Sequence, residues 1–180
     1  DDKGGGAHID MALLDSQVAV LANQAANYLA SGVAPKRMGN AHANVVPYQV
    51  FATADGQLVI AVGNDGQYRR LCAILGVPEW ADDARFANNA ARLANRAELI
   101  PLLAAKIAAW DAQPLSLALE AEGVPAGPIN DLAQVFADPQ VQARGMRFRP
   151  EGASIDGVAS PIVIDGERMV ARAGAPPLAQ

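Results

Sequence analysis

The sequence has few of the residues that disulfides, metal sites and nucleic-acid surfaces require. A single cysteine, Cys72, excludes an internal disulfide, and two histidines with one cysteine offer no cluster of metal ligands. The formal net charge is −5, and no basic run is longer than Arg69-Arg70, which argues against a nucleic-acid partner. No apolar run approaches the roughly 20 residues that span a bilayer. A lone cysteine in a helix is typical of core filling and of the reducing cytoplasm.

What the chain does contain is apolar side chains and alanine. Of its 180 residues, 51% are hydrophobic, 5% aromatic and 18% charged. This is enough to bury the core of one domain or slightly more, and the alanine favours helices with closely packed small side chains. Because the sequence begins Asp1-Asp2-Lys3-Gly4 without methionine and ends in Leu178-Ala179-Gln180, we expect a piece of a longer protein.

The first predicted element is one long helix over about residues 9–31. Apolar residues recur within it at helical spacing, Asp10 suits its start, and Gly32 suits a left-handed cap at its end. Three amides interrupt its apolar pattern and either face solvent or meet another helix: Asn23, Gln24 and Asn27.

A β-hairpin is predicted next, because two β-rich runs within residues 48–62 flank Asp55-Gly56. The helices predicted after it cover about residues 65–75, one turn within 80–87, 88–109 in two pieces with Arg96 opening the second and Pro101 in its first turn, 115–122, 132–136 and 139–144. The segment 124–129 is too rich in proline for a central strand and is predicted to be extended.

Two late strands, at residues 146–148 and 162–164, lack obvious partners nearby, so we expect them to pair with a sheet elsewhere. The order of helix, hairpin, several helices and late strands predicts an α+β fold. Arg85 and Arg92 are expected to form surface ion pairs of small energetic value with nearby carboxylates.

The most unusual stretch is the polar loop before the hairpin. It contains His42, with Gly39 and Asn40 on one side and Asn44 on the other. A histidine that acts as a general base needs an orienting carboxylate or carbonyl, and the neighbouring sequence supplies none. Packing or substrate contact is therefore favoured over catalysis for His42, and the other histidine, His8, is expected at the surface.

Eight short motifs then follow one another along the chain. They are His8-Ile9-Asp10-Met11-Ala12-Leu13-Leu14-Asp15; Gly39-Asn40-Ala41-His42 with Pro47-Tyr48 and Phe51; Ala54-Asp55-Gly56; Ala61-Val62-Gly63; Gly123-Val124-Pro125-Ala126-Gly127-Pro128-Ile129; Ala137-Asp138-Pro139 with Ala143-Arg144-Gly145; Ser160-Pro161-Ile162; and Ala175-Pro176-Pro177-Leu178. In this order they resemble the class III CoA-transferases, the CaiB/BaiF family, over essentially the whole chain.

The resemblance implies an acyl-CoA:carboxylate CoA-transferase that works through aspartyl anhydride and aspartyl-CoA thioester intermediates. Its nucleophilic aspartate would lie in a Rossmann-like part before Asp1, so no catalytic residue is expected in this chain, which alone would be inactive. The implied partners are an acyl-CoA, a carboxylic acid acceptor and a second copy in an interlocked homodimer. Coenzyme A thioester is then a substrate, and no permanently bound cofactor or metal is expected.

The same resemblance implies three regions: a linker helix region over residues 1–35, a small α+β domain over 36–145, and a return segment over 146–180 toward the missing large domain. It also implies a substrate loop that closes over the acyl-CoA intermediate, formed by Gly39, Asn40, Ala41, His42 and Asn44.

Departures from the family pattern indicate its branch. Formyl-CoA transferases carry a glycine-rich substrate loop, whereas here only Gly39 is glycine, which argues against formyl or oxalate specificity. The run Arg37-Met38-Gly39-Asn40 with Tyr48-Gln49-Val50-Phe51 resembles the branch that uses succinyl-CoA and dicarboxylates. Ala43 stands where relatives often have proline, and Ala126 where many have cysteine. Two alternatives stay open: an acyl-CoA racemase of the same family, and a non-catalytic interaction module.

Overall fold

The computed structural model describes residues 8–171 and 173–174. The first unit, which ends at Pro128, contains α1 (Leu13–Ala19), α2 (Ala22–Ser31), β1 (Tyr48–Ala52), β2 (Gln57–Ala61), α3 (Asp65–Ile74), a 3₁₀ turn (Pro78–Ala81), α4 (Asn89–Ala94), α5 (Arg96–Ile107), α6 (Ala112–Ala121) and β3 (Ala126–Pro128). The second, from Ile129, contains α7 (Leu132–Ala137), α8 (Pro139–Ala143), β4 (Arg147–Phe148), β5 (Gly157–Val158), β6 (Val163–Ile164) and β7 (Glu167–Arg168). The three regions expected from the sequence stay a prediction, and the motif at residues 175–178 lies outside the described residues.

The first unit is built on a three-stranded antiparallel sheet in the order β1-β2-β3. The predicted hairpin is confirmed, with a register that runs from Tyr48 opposite Ala61 to Ala52 opposite Gln57. The segment that contains β3 is extended, as predicted, and its position at the sheet edge suits its prolines, which cannot donate to a ladder.

The core lies between this sheet and helices α3, α5 and α6. The strands alternate, so Phe51, Leu58 and Ile60 face inward and are buried. The helices add a further set of buried apolar side chains: Leu71, Cys72, Leu99, Leu103, Ile107, Leu115 and Leu119. Cys72 is thus core filling, as predicted, and burial raises the pKa of its thiol.

Two details of α5 differ from expectation. The helical spacing predicts Leu102 and Lys106 in the buried stripe of this helix, but Leu102 is 38% exposed and Lys106 is exposed, so both lie at its edge. Pro101 is the sixth residue of the helix and not in its first turn. The helix begins at Arg96, as predicted.

The single helix predicted over about residues 9–31 is wrong, because the structure has two helices there, α1 and α2. The chain turns at Val20 and Leu21, and Ala22 has a positive φ of 38°. Asp10 does not cap α1, whose N-cap is Ala12. The spacing of apolar residues shows which face of a helix is apolar, but not whether the helical backbone is continuous. The predicted stop at Gly32 is confirmed, with φ 70° and its N–H donated to Tyr28 O.

The late strands pair with strands close to them in sequence, so the expectation that they pair with a sheet elsewhere is wrong. β4 pairs with β5, and β6 pairs with β7. The β6–β7 connection is the dipeptide Asp165-Gly166, both with positive φ, the geometry that a two-residue hairpin turn favours. The side chains of Asp131 and Asp138 cap α7 and α8, as their positions directly before the two predicted helices favour. Within the described residues no helix is long and apolar enough to cross a membrane.

A buried arginine joins three segments of the first unit. Arg92 in α4 is 1% exposed, and its guanidinium donates to Val46 O at 2.7 Å, to Phe86 O at 3.0 Å and to Asp65 Oδ1 at 2.7 Å. It also lies over the Tyr68 ring, 4.4 Å from the centroid. These partners replace the water lost on burial. The expected surface ion pair is therefore wrong for Arg92, whereas exposed Arg85 does pair with Asp83 and Glu98.

Replacing Arg92 by methionine should lower the free energy of unfolding by about 3 kcal/mol, because two buried carbonyls and Asp65 lose their donor. Urea denaturation measures this change. The matched control is Arg85→Met, which removes exposed ion pairs and should change the stability far less. Equal losses in the two variants would contradict a structural role for Arg92.

The hairpin turn is tied to α6 through Asp55. Asp55 Oδ1 accepts the Ala112 N–H at 2.8 Å and the Thr53 hydroxyl at 3.1 Å. The backbone bond from Ala112 is the main reason why the pKa of Asp55 lies below its ordinary value of 3.8.

A lowered carboxylate pKa stabilises the fold above the unfolded-state pKa and loses that effect as the pH falls through the folded-state value. We therefore expect Asp55→Asn, which keeps the acceptor oxygen and removes the charge, to lower Tm by a constant amount above about pH 5 and by progressively less below about pH 4. Thermal unfolding between pH 2.5 and 7 tests this. A difference in Tm that does not vary with pH would contradict it.

Candidate functional site

A cleft of ≈ 370 Å³ lies between the start of α2 and the loop that precedes β1. Its lining residues are Val20, Leu21, Ala22, Asn23, Gln24, Asn27, Gly39, Asn40, Ala41, His42, Ala43, Asn44 and Tyr48. None of the described residues that line it is Asp, Glu, Lys or Arg. The side chains that make the cleft polar are therefore amides, one imidazole and the phenol of Tyr48.

All five residues of the predicted substrate loop line this cleft: Gly39, Asn40, Ala41, His42 and Asn44. Gly39 has φ 62°, a conformation that glycine adopts without strain. The two amide-bearing positions differ in how they are held. Asn40 Oδ1 accepts the Val50 N–H at 3.0 Å, and Asn44 Nδ2 donates to Asn27 Oδ1 at 3.0 Å. The loop is thus attached to β1 on one side and to α2 on the other.

His42 is fixed at the centre of the loop. Its backbone N–H donates to Tyr48 O at 2.9 Å, and its ring stacks on the Tyr48 ring with centroids 5.2 Å apart and an interplanar angle of 17°. The Asn44 N–H donates to His42 Nδ1 at 3.1 Å. Because Nδ1 is used as an acceptor, Nε2 is the ring nitrogen that can donate to a ligand.

This geometry makes His42 a hydrogen-bond donor in a half-buried site. No carboxylate among the described residues bonds to its ring, so the charged partner that orients a histidine base is not part of this site. The interpretation of His42 as a contact residue agrees with this arrangement.

The backbone of the loop is held by side chains from α4 and α5, which sequence reasoning missed. Asn89 bonds in both directions: its Nδ2 donates to Asn44 O at 2.8 Å, and its Oδ1 accepts the Val46 N–H at 3.1 Å. Arg92 donates to Val46 O. Together these contacts fix the chain just before the cis peptide bond between Val46 and Pro47.

Arg96 completes this set one turn further along. Its Nη2 donates to His42 O at 2.6 Å and to Ala43 O at 3.2 Å, and burial lowers the pKa of its guanidinium. Asn89, Arg92 and Arg96 follow the spacing i, i+3, i+7, so they share one side of the helical segment. We call these three residues the anchor set. The helical spacing was the available signal, but nothing in the sequence says which backbone groups the set bonds.

The amides of α2, left open between solvent and an interface, contribute to the cleft. Asn27 and Gln24 are half-buried, and Asn23 is exposed at its rim. Gln24 Oε1 is buried and has no hydrogen-bond partner among the residues that the structure describes. A buried acceptor without a partner costs free energy, which makes it a candidate for ligand contact.

The other sequence candidates lie apart from this cleft. His8 is exposed, and the side chain of Asn64 caps α3 by accepting the Gln67 N–H. Asp65 binds Arg92. Within residues 8–171 and 173–174, no group of three or more histidine, cysteine or acidic side chains is placed to hold a metal ion.

Sequence comparisons identify the family. The sequence model described as CoA-transferase family III matches residues 1–180. The chain is 55% identical over 164 residues to the succinate–glutarate CoA-transferase of Agrobacterium fabrum, a match that covers 89% of this chain and 41% of that protein. It is 40% identical over 158 residues to the succinyl-CoA:glutarate CoA-transferase of Homo sapiens, with 88% and 36% covered.

A solved structure agrees. A CaiB/BaiF family protein from Brucella suis superposes with a TM-score of 0.79 at 51% identity, which covers 98% of this chain and 46% of that one. The chain thus spans less than half the length of each of these relatives. The predicted α+β fold and the resemblance noted from the motifs are confirmed. The chain belongs to CoA-transferase family III.

Proposed function

We propose that these residues form part of an acyl-CoA:carboxylate CoA-transferase whose acids are dicarboxylates of the size of succinate and glutarate. The observation that carries the proposal is the 55% identity over 164 residues to the Agrobacterium succinate–glutarate CoA-transferase. The single glycine in the loop supports the same branch over formyl-CoA transfer.

The reaction that the family resemblance implies proceeds by carboxylate nucleophilic catalysis. An enzyme aspartate attacks the thioester carbonyl, the C–S bond breaks, and CoA thiolate leaves behind a mixed anhydride. The thiolate then attacks the aspartyl carbonyl of this anhydride and releases the first acid, and the second acid accepts CoA by the reverse steps. The aspartate is expected outside these 180 residues, so we propose that they do not transfer CoA alone.

The contribution of this chain is the substrate loop. Water would hydrolyse either acyl intermediate, so the site must exclude it during transfer. The loop is preorganised for this role by the anchor set, which bonds the backbone at His42, Ala43, Asn44 and Val46. Because the anchor set bonds main-chain groups, it leaves the Asn40 NH₂ group and His42 Nε2 to contact the acyl-CoA.

The partners proposed with this function are an acyl-CoA, a carboxylic acid and a second copy of the protein, in the cytoplasm and without a resident cofactor. Support for the second copy is the apolar surface of α1 and α2, where Leu13 is 89% exposed and Leu29 is 81% exposed. Burial of such a surface against another chain or another part of the protein would stabilise the assembly.

In the full-length protein, Asn40→Ala and His42→Ala should each raise thioester hydrolysis relative to CoA transfer, by about 5-fold, because the loop loses one restraining hydrogen bond or its stacking contact. The ratio is measured from free CoA release and glutaryl-CoA formation with succinyl-CoA and glutarate. Two exposed positions provide the matched controls, His8→Ala and Asn130→Ala, which should leave the ratio unchanged.

An unchanged ratio in both loop variants would contradict the loop's role. The reaction class is tested in the same samples in deuterated water. A racemase incorporates deuterium at the α-carbon without an acceptor acid, whereas a transferase does not. Deuterium incorporation without transfer would overturn the proposed function.

A further inference from the structure

The cleft beside the substrate loop is poorly suited to a carboxylate. None of the described residues that line it is Lys or Arg, and Nδ1 of His42 already accepts a hydrogen bond from the Asn44 N–H. Three backbone N–H groups of the loop, at Ala41, His42 and Asn44, already donate within the chain. A carboxylate that enters such a site loses its hydration and gains no opposite charge.

The polar groups that are left in the cleft are of both kinds. Asn40 Oδ1 is occupied by the Val50 N–H, which leaves the Asn40 NH₂ group as a donor toward a ligand. Gln24 Oε1 is the opposite: a buried acceptor with no partner among the described residues. A ligand that satisfies both must present one hydrogen-bond acceptor and one donor.

A secondary amide has both groups and is uncharged, as the cleft is. A carboxylate and a thioester present acceptors only, so neither can satisfy Gln24 Oε1. If the substrate is an acyl-CoA, as the proposed function has it, its pantetheine arm carries two secondary amides.

We propose that the cleft binds a secondary amide of the pantetheine arm, whose N–H donates to Gln24 Oε1 and whose carbonyl accepts from the Asn40 amide. The volume of ≈ 370 Å³ admits a segment of this arm. In this arrangement α2 and the loop each form a hydrogen bond with the pantetheine arm of the thioester, and the carboxylate of the acid binds elsewhere. The assignment of the arm rests on the proposed function, whereas the match to an amide rests on the cleft.

The test uses Gln24→Met in the full-length protein, because methionine has a similar length and no strong acceptor. We expect the Kd of CoA, measured by calorimetry, to rise by about 5- to 10-fold, the effect of one hydrogen bond. The Tm should not fall, since the substitution removes a buried acceptor that has no protein partner. The matched control is Gln113→Met on the exposed side of α6, which should bind CoA as the wild type does.

Two CoA analogues identify the bonded group, each with an ester oxygen in place of one amide N–H. One of them should bind the wild type about 5- to 10-fold more weakly than CoA does, and should bind Gln24→Met as tightly as CoA does. Equal affinity of CoA for the wild type and Gln24→Met overturns the proposal. The proposal is also overturned if Gln24→Met loses affinity for glutarate and keeps its affinity for CoA, because the cleft would then be the carboxylate site.

Transfer from succinyl-CoA to glutarate is measured separately, so the two proposals can fail independently. A protein whose CoA affinity depends on Gln24 but which transfers no CoA refutes the proposed function and retains the amide site. A protein that transfers CoA with an affinity independent of Gln24 refutes the amide site alone. A wild type that binds no CoA refutes both.

Discussion

The first unit depends on a buried positive charge that must keep its partners. Arg92 is almost fully inaccessible, and its three donors are directed to the backbone before β1, to the backbone before α4, and to Asp65 at the start of α3. A guanidinium stripped of water is tolerated only where its hydrogen bonds are made, so these segments cannot separate without exposing an uncompensated charge. The position of the loop that ends at Val46 depends on this constraint, because Arg92 bonds Val46 O.

As a consequence, the backbone of the loop and its side chains have different roles. Asn89 and Arg96 add bonds to the backbone groups of His42, Ala43, Asn44 and Val46 and leave the side chains that face the cleft uninvolved. A binding loop held through its main chain can be rigid and still offer its side chains to a substrate, which lowers the entropic cost of binding. This arrangement suits the role proposed for the loop.

The parts of the fold that depend on local chemistry could be predicted from the sequence. The Asp55-Gly56 hairpin, the cap at Gly32 and the α7 capping box follow from turn and cap preferences that neighbouring residues set. The break between α1 and α2 could not, because an alanine-rich amphipathic pattern continues across it. Arg92 and Asp65 lie 27 positions apart, and a polar residue whose partner is distant in sequence resembles a surface residue until the fold is known. Asp165-Gly166 was an available hairpin signal for the late strands and was overlooked.

The role of the five loop residues as a substrate loop stays a prediction, and the side chains that hold the loop were not predicted. The five loop residues were identified through family resemblance, and the structure gathers them in one cleft with the α2 amides. The anchor set was missed because side-chain bonds to distant backbone carbonyls leave no pattern in a single sequence.

The central claim is that the anchor set holds the substrate loop, and amide hydrogen exchange of Arg96→Met in the full-length protein tests it most directly. Arg96→Met should speed exchange at His42 and Asn44 by about 10-fold or more, while amides of the β1–β2 ladder keep their protection and Arg85→Met behaves as the wild type does. Unchanged protection of the loop amides in Arg96→Met would contradict the account.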